Sequence, residues 1–198
     1  MSTTVSPEPQ LRKPDSAIRI VALTGFMGAG KTSVGSKLAT LLHWAFVDLD
    51  REIEVRQKLR IRDIFRSHGE PHFRQLETET LRDILAQISR PTVIALGGGT
   101  FIQPCNADLL RECGANVVFL DTPIEHLLQS CRPATEFPIE NVRPLAADPD
   151  AFRALYGERL PKYRTANLTV NTSGKTMDEV AREIAARLQL LERSTPPT

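Results

Sequence analysis

Cysteine is scarce in this chain of 198 residues: Cys105, Cys113 and Cys131 are all there is. An odd number without C-x-x-C spacing excludes a disulfide framework and a zinc knuckle, and leaves free thiols suited to a reducing cytosol. No apolar stretch approaches the length of a bilayer span. Charge of one sign is missing too, since 25 basic residues face 24 acidic ones for a net +1. That balance gives no bulk attraction towards nucleic acid or an anionic membrane. The first fifteen residues, Met1 to Asp15, carry prolines and Ser/Thr but no hydrophobic segment, which predicts a disordered leader over 1–16 rather than a secretion signal. The end, 193–198, reads as a flexible tail. His68 and His72 invite a metal reading, but Gly69 and Pro71 lie between them, so solvated loop histidines are expected. Internal repeats and low-complexity blocks are absent.

What remains is 41% hydrophobic and 25% charged, enough for one globular domain over 17–192. Its most informative stretch is Gly25-Phe26-Met27-Gly28-Ala29-Gly30-Lys31-Thr32, which fits the phosphate-binding pattern G-x-x-x-x-G-K-[ST]. The apolar run before it, Ile18–Leu23, reads as a buried parallel strand, and Val34, Leu38, Leu41 and Leu42 after it recur at helical spacing. Glycines there let backbone N–H groups wrap a phosphate chain, and a helix N-terminus adds partial positive charge at the same point. Lys31 would reach the outer phosphates and the Thr32 hydroxyl would ligate Mg²⁺. A nucleoside triphosphate is the implied ligand.

Five β-type runs, Ile18–Leu23, Phe46–Leu49, Thr92–Leu96, Val117–Leu120 and Leu168–Val170, alternate with helical patterns. Leu81, Ile84, Leu85 and Ile88 repeat as an amphipathic helix does. Thr122-Pro123-Ile124-Glu125 and Thr176-Met177-Asp178-Glu179 read as capping boxes, and Asp148-Pro149-Asp150 opens another helix. The last helix presents Val180, Ile184 and Leu188 as its apolar face. The expected architecture is α/β: a five-stranded parallel sheet with helices on both faces, in three layers. From Cys131 to Ala147 three prolines interrupt all periodicity, and with Arg132 and Arg143 this stretch reads as a mobile lid over phosphates. No unexplained apolar face remains, which favours a monomer.

Other polar clusters narrow the chemistry. Asp48 and Asp50 stand at the end of the second strand, where α/β ligand crevices lie. They are expected to divide the work, one at a metal's water shell and one at an acceptor hydroxyl; alternatively Asp50 caps the next helix. Gly97-Gly98-Gly99 follows the third strand and exposes N–H groups to the same crevice. Arg74 and Arg159 supply guanidinium forks suited to a carboxylate, though either alone is compatible with a surface ion pair.

Together these residues resemble the shikimate kinases, within the nucleoside-monophosphate-kinase-like P-loop enzymes, from Ile20 to about Leu188. The phosphate loop, Phe46-Val47-Asp48-Leu49-Asp50 with Glu52-Ile53-Glu54, Ile64-Phe65, Gly69-Glu70, Phe73-Arg74 with Glu77, Gly97-Gly98-Gly99, Arg143-Pro144-Leu145, Glu158-Arg159 and Tyr163 carry the resemblance. It implies phosphoryl transfer from ATP to the 3-hydroxyl of shikimate, in the route to chorismate and aromatic amino acids, in the cytoplasm. By matched positions, Gly28, Ala29, Gly30, Lys31, Thr32 and Ser33 would hold ATP phosphates, with Thr32 and, through water, Asp48 on Mg²⁺. Asp50 would bind ring hydroxyls and orient or deprotonate the attacking one. Arg74 and Arg159 would clamp the carboxylate, with N–H groups from Gly97, Gly98 and Gly99. Arg143 would swing in with the lid, Arg132 would lie on the adenine and Lys175 would flank the nucleotide. A glycine common in the family after Glu52-Ile53-Glu54 is absent around Lys58. Rival expectations are a gluconate kinase, a nucleoside-monophosphate kinase, or a nucleotide-dependent switch without an acceptor.

Overall fold

The computed structural model describes residues 19–131 and 148–191. The predicted leader (1–16), the tail (193–198) and the predicted lid beyond Cys131, with Arg132 and Arg143, lie outside the described residues. Within them the order is β1 (Ile20–Thr24), α1 (Lys31–Leu42), β2 (Ala45–Asp48), α2 (Leu49–Gln57), α3 (Ile61–Gln87), β3 (Thr92–Ala95), α4 (Pro104–Glu112), β4 (Asn116–Asp121), α5 (Ile124–Cys131), α6 (Pro149–Tyr163), β5 (Leu168–Asn171) and α7 (Met177–Arg187). The strands form one sheet in the order β2-β3-β1-β4-β5, and every pairing is parallel.

Strand β1 is central and buried along its whole length, as an apolar run between two helical layers must be. Its side chains alternate between two cores. Val21 and Leu23 join residues of α1, α5, α6 and α7. Ile20 and Ala22 join residues of α2, α3 and α4. Fully burying a leucine, isoleucine or phenylalanine contributes about 1.5–3 kcal/mol, so both layers press on the strand that ends in the phosphate loop. Because all strands run the same way, the segments after β1, β2 and β3 emerge along one edge.

Several local readings need correction. Leu41 is not part of the buried face of α1; it is 36% exposed, whereas Val34, Leu38 and Leu42 are buried. Leu127 N–H bonds to Pro123 O at 3.1 Å, so α5 is capped at Pro123, one residue later than predicted. His68 and His72 do not sit on a loop. Helix α3 runs through both of them, broken only at Gly69 (φ 79, ψ 174), and this kink brings their rings to 4.8 Å between centroids. The capping box at Thr176 is present with both reciprocal bonds, and Asp148 caps α6 as expected.

The glycine expected from the family resemblance is absent around Lys58. Lys58 ends α2 in the left-handed region (φ 53, ψ 26), a conformation that costs a side chain-bearing residue about 1–2 kcal/mol and glycine almost nothing sterically. Lys58→Gly, set against glycine's larger loss of chain entropy, is therefore expected to raise the unfolding free energy by about 0.5–1 kcal/mol; an unchanged or lowered urea midpoint would contradict this.

Candidate active site

The phosphate loop is shaped by backbone geometry that glycine permits. Gly28 (φ 82) and Gly30 (φ 80) lie in the left-handed region. A Cβ on Gly28 would stand 2.9 Å from Cys131 Sγ, and one on Gly30 would stand 3.0 Å from Met177 Cε. Gly30 is the N-cap of α1 and brings no capping side chain, so the helix's first N–H groups stay available to an anion. Lys31 Nζ donates to the carbonyls of Gly25 and Phe26, each at 3.0 Å. Thr32 and Ser33 follow on the exposed first turn of α1.

Thr32 Oγ1 donates to Asp48 Oδ2 at 2.6 Å. Asp48 also caps α2, its Oδ1 accepting the Arg51 N–H at 3.1 Å. This corrects the expectation that both aspartates stand at the end of the strand. The strand stops at Asp48, Asp50 lies in the first turn of α2, and the capping carboxylate is Asp48 rather than Asp50. Two hard oxygen donors on adjacent elements beside a phosphate loop are what Mg²⁺ prefers, so Thr32 and Asp48 fit the implied ion. Lys175, between β5 and α7, donates to Asn171 O at 2.8 Å and pairs with Glu183 at 2.6 Å.

The second half of the site gathers around the turn after β3. Thr100 N–H bonds to Gly97 O at 3.2 Å, closing a β-turn with Gly98 and Gly99 at its centre. A Cβ on Gly97 would fall 2.7 Å from Asp50 Oδ1 and 2.6 Å from Glu77 Oε1. One on Gly99 would fall 2.6 Å from Arg74 Nη1. Arg159 Nη1 reaches Gly98 O at 3.4 Å, and its guanidinium lies 5.9 Å from the Phe26 ring centre, above the phosphate loop itself. The Gly98 Cβ position is 3.6 Å from the Met27 amide. Asp50, Arg74, Arg159 and the three glycines thus share one neighbourhood, and it adjoins the phosphate loop.

Glu77 and Tyr163 carry no predicted role, yet they hold this half in place. Glu77 is fully buried. Its carboxylate accepts from Arg74 Nη1 at 2.9 Å, Thr100 Oγ1 at 2.6 Å and Gln103 Nε2 at 2.9 Å. Burial works against the Arg74 charge, but Glu77, and after it Glu70 at 2.9 Å, outweigh that and raise its pKa above the ordinary guanidinium value. Tyr163 is also fully buried, stacks on Phe119 with centroids 5.2 Å apart and donates its hydroxyl proton to Gly98 O. The sequence signal for Glu77 was its place one helical turn after Arg74, which alone reads as an ordinary i,i+3 pair.

A triphosphate loop that shares an edge with one carboxylate and two guanidinium groups defines a P-loop kinase acting on a small molecule. A family model described as shikimate kinase matches residues 27–189. A shikimate kinase of Geobacter metallireducens is 40% identical over 177 residues, covering 88% of this chain and 94% of that protein. Among solved structures, the shikimate kinase of Acinetobacter baumannii in complex with shikimate superposes with a TM-score of 0.76 at 34% identity, over 89% of this chain and 96% of that one. The shikimate kinase of Bacteroides thetaiotaomicron gives 0.77 at 27% identity, over 87% and 99%. The chain belongs to the shikimate kinase family.

Gly99→Ala tests the closeness of the turn to Arg74. The methyl group would displace the guanidinium by direct contact while leaving the phosphate loop alone. KM for the acceptor is expected to rise by about tenfold or more, the loss of a charge-assisted bond, with KM for ATP within about twofold. Equal changes in both constants would contradict this placement.

Proposed function

We propose that the chain transfers the γ-phosphoryl group of ATP to the 3-hydroxyl of shikimate, giving shikimate 3-phosphate and ADP, as a step towards aromatic amino acids. The observation that carries this assignment is the convergence of Asp50, Arg74 and Arg159 on the Gly97–Gly99 turn, next to the phosphate loop. Family membership supports the reaction type and the acceptor.

In this reading the N–H groups from Gly28 to Ser33 cradle the phosphates, and Lys31 leaves its carbonyl partners for the outer phosphate oxygens. Thr32 and Asp48 would hold Mg²⁺. When bound, the ion would supply positive charge that offsets the repulsion between phosphate oxygens and an incoming hydroxyl. Asp50 accepts a hydrogen bond from the attacking hydroxyl and takes its proton as the new O–P bond forms and the β–γ bridging bond breaks. Arg74 and Arg159 bind the carboxylate and fix the ring. Alignment of this kind supplies most of the rate in phosphoryl transfer, where the protein has little covalent work to do. From the sequence, Arg143 neutralises charge on the phosphates, Arg132 lies on the adenine and Lys175 flanks the nucleotide. We place the enzyme in the cytoplasm as a monomer, consistent with its balanced charge and with the absence of a membrane-length apolar helix among the described residues.

Steady-state kinetics with shikimate, gluconate and AMP in one coupled ADP assay provide the test. Shikimate alone is expected to stimulate ATP turnover. Asp50→Asn should lower kcat by about 10²–10⁴, the range for loss of a positioned base, with KM for ATP little changed. Lys31→Ala should lower kcat by orders of magnitude as a transition-state cation is removed. ATP turnover that ignores shikimate, or Asp50→Asn at wild-type rate, would overturn the assignment.

A further inference from the structure

Two adjacent glycines at the centre of a β-turn leave its middle peptide undecided. Type I and type II turns share their end points and differ by a flip of that peptide through about 180°. Type II demands positive φ at the third residue, which glycine alone accepts freely. With Gly98 and Gly99 in the central positions, both orientations of the Gly98–Gly99 peptide are open sterically. The turn here is not of the second kind, since neither Gly98 nor Gly99 is among the glycines with positive φ.

Something must choose, because the two orientations present opposite chemistry to the acceptor. In a trans peptide the C=O and the next N–H point in opposite directions, and the chain has no cis bond among the described residues. With Gly98 O directed at Tyr163 and Arg159, the Gly99 N–H points away from them. Among the described residues no acceptor takes the N–H groups of Gly98 or Gly99. Donors left open in this way suit an anion. After a flip, a carbonyl oxygen would face the same side and repel a carboxylate.

We infer that the Tyr163 hydroxyl is a positioning group that latches the Gly98–Gly99 peptide in its donor-outward orientation and thereby sets the preference of the site for a carboxylate. The latch is rigidly mounted: Tyr163 is the last residue of α6, fully buried and stacked on Phe119. Arg159 alone is a weak substitute, reaching Gly98 O only at 3.4 Å on a long side chain that the acceptor also needs. Burial, against the pull of Arg159, pushes the Tyr163 hydroxyl up to about 12, so it remains a proton donor at any working pH. This inference rests on the proposal that the acceptor is shikimate.

Tyr163→Phe keeps the ring, its stacking and its burial and removes only the donor. KM for shikimate is expected to rise by about tenfold, the worth of one buried hydrogen bond, with kcat and KM for ATP within about twofold. The carboxamide analogue of shikimate provides the discriminating arm. Its NH₂ can donate to a flipped carbonyl, so wild type and variant should handle it alike. Loss of both acceptors to the same degree, or no change in the shikimate KM, overturns the latch. Wild-type enzyme inactive on both acceptors overturns the acceptor assignment and the latch with it. If the variant fails to fold, amide NMR of the wild-type protein decides. Shikimate should move the Gly99 N–H resonance downfield and the carboxamide should do so much less, and equal shifts would overturn the inference.

Discussion

A single buried carboxylate organises the acceptor half of this enzyme. Glu77 has no exposed surface, and an ion removed from water costs several kcal/mol unless charge and hydrogen bonds replace its hydration. The replacement comes from three places: Arg74 on the same helix, Thr100 in the turn and Gln103 at the start of α4. Because those partners are the cation proposed to bind the acceptor and the residues around the glycine turn, the compensation that makes Glu77 tolerable also fixes the distance between them. Asn106 extends the network, donating to Thr100 O at 3.1 Å. Removing any one partner leaves the others over-exposed to an unpaired charge, so the cluster behaves as a unit rather than as separable bonds.

The phosphate half is built on a different principle. Its geometry comes from main-chain conformation, with Gly28 and Gly30 in the left-handed region and helix α1 beginning at once afterwards. The halves meet because β1 and β3 are neighbours in register, Leu23 opposite Ala95, so the loops leaving them emerge side by side. Strand order therefore does the work of bringing a donor phosphate to an acceptor hydroxyl, and the packing of Phe26 against Phe152 at 4.9 Å ties that junction to α6. Arg159 lies on the same helix.

How far the sequence could be read follows from the range of each interaction. The phosphate loop was legible because motif, strand and helix are contiguous over about twenty residues. The five strands and their parallel pairing followed from alternation with helices, although their ends shifted. Asp48 and Asp50 were misplaced relative to the backbone, since whether a strand ends before or after Leu49 depends on tertiary contacts that no local propensity encodes. His68 and His72 were separated on paper by a glycine and a proline, yet the helix resumes after one kinked residue. Glu77 and Tyr163 are the instructive cases. Their partners lie 23, 26 and 65 positions away, and nothing in composition or periodicity announces such pairings.

The balance of charge in the pocket accounts for the kind of acceptor this arrangement favours. Arg74 is already matched by Glu77 and Glu70, whereas Arg159 has no carboxylate partner among the described residues and lies against Gly98 O, the Tyr163 hydroxyl and the Phe26 face. Asp50 and Glu77 both lie against Gly97. A neutral polyol would leave Arg159 uncompensated. A phosphate dianion would bring a second negative charge towards Asp50 and Glu77, and at about 4 Å each such pair costs up to about 4 kcal/mol in a partly screened site. On the proposed reading, an acid with one carboxylate and neighbouring hydroxyls avoids both penalties: its single charge meets the Arg74 and Arg159 guanidinium groups, and its hydroxyls meet Asp50. On the same reading, a different count of cations around this turn would select a different acceptor, and the discriminating residues are those on α2, α3 and α6 rather than in the phosphate loop.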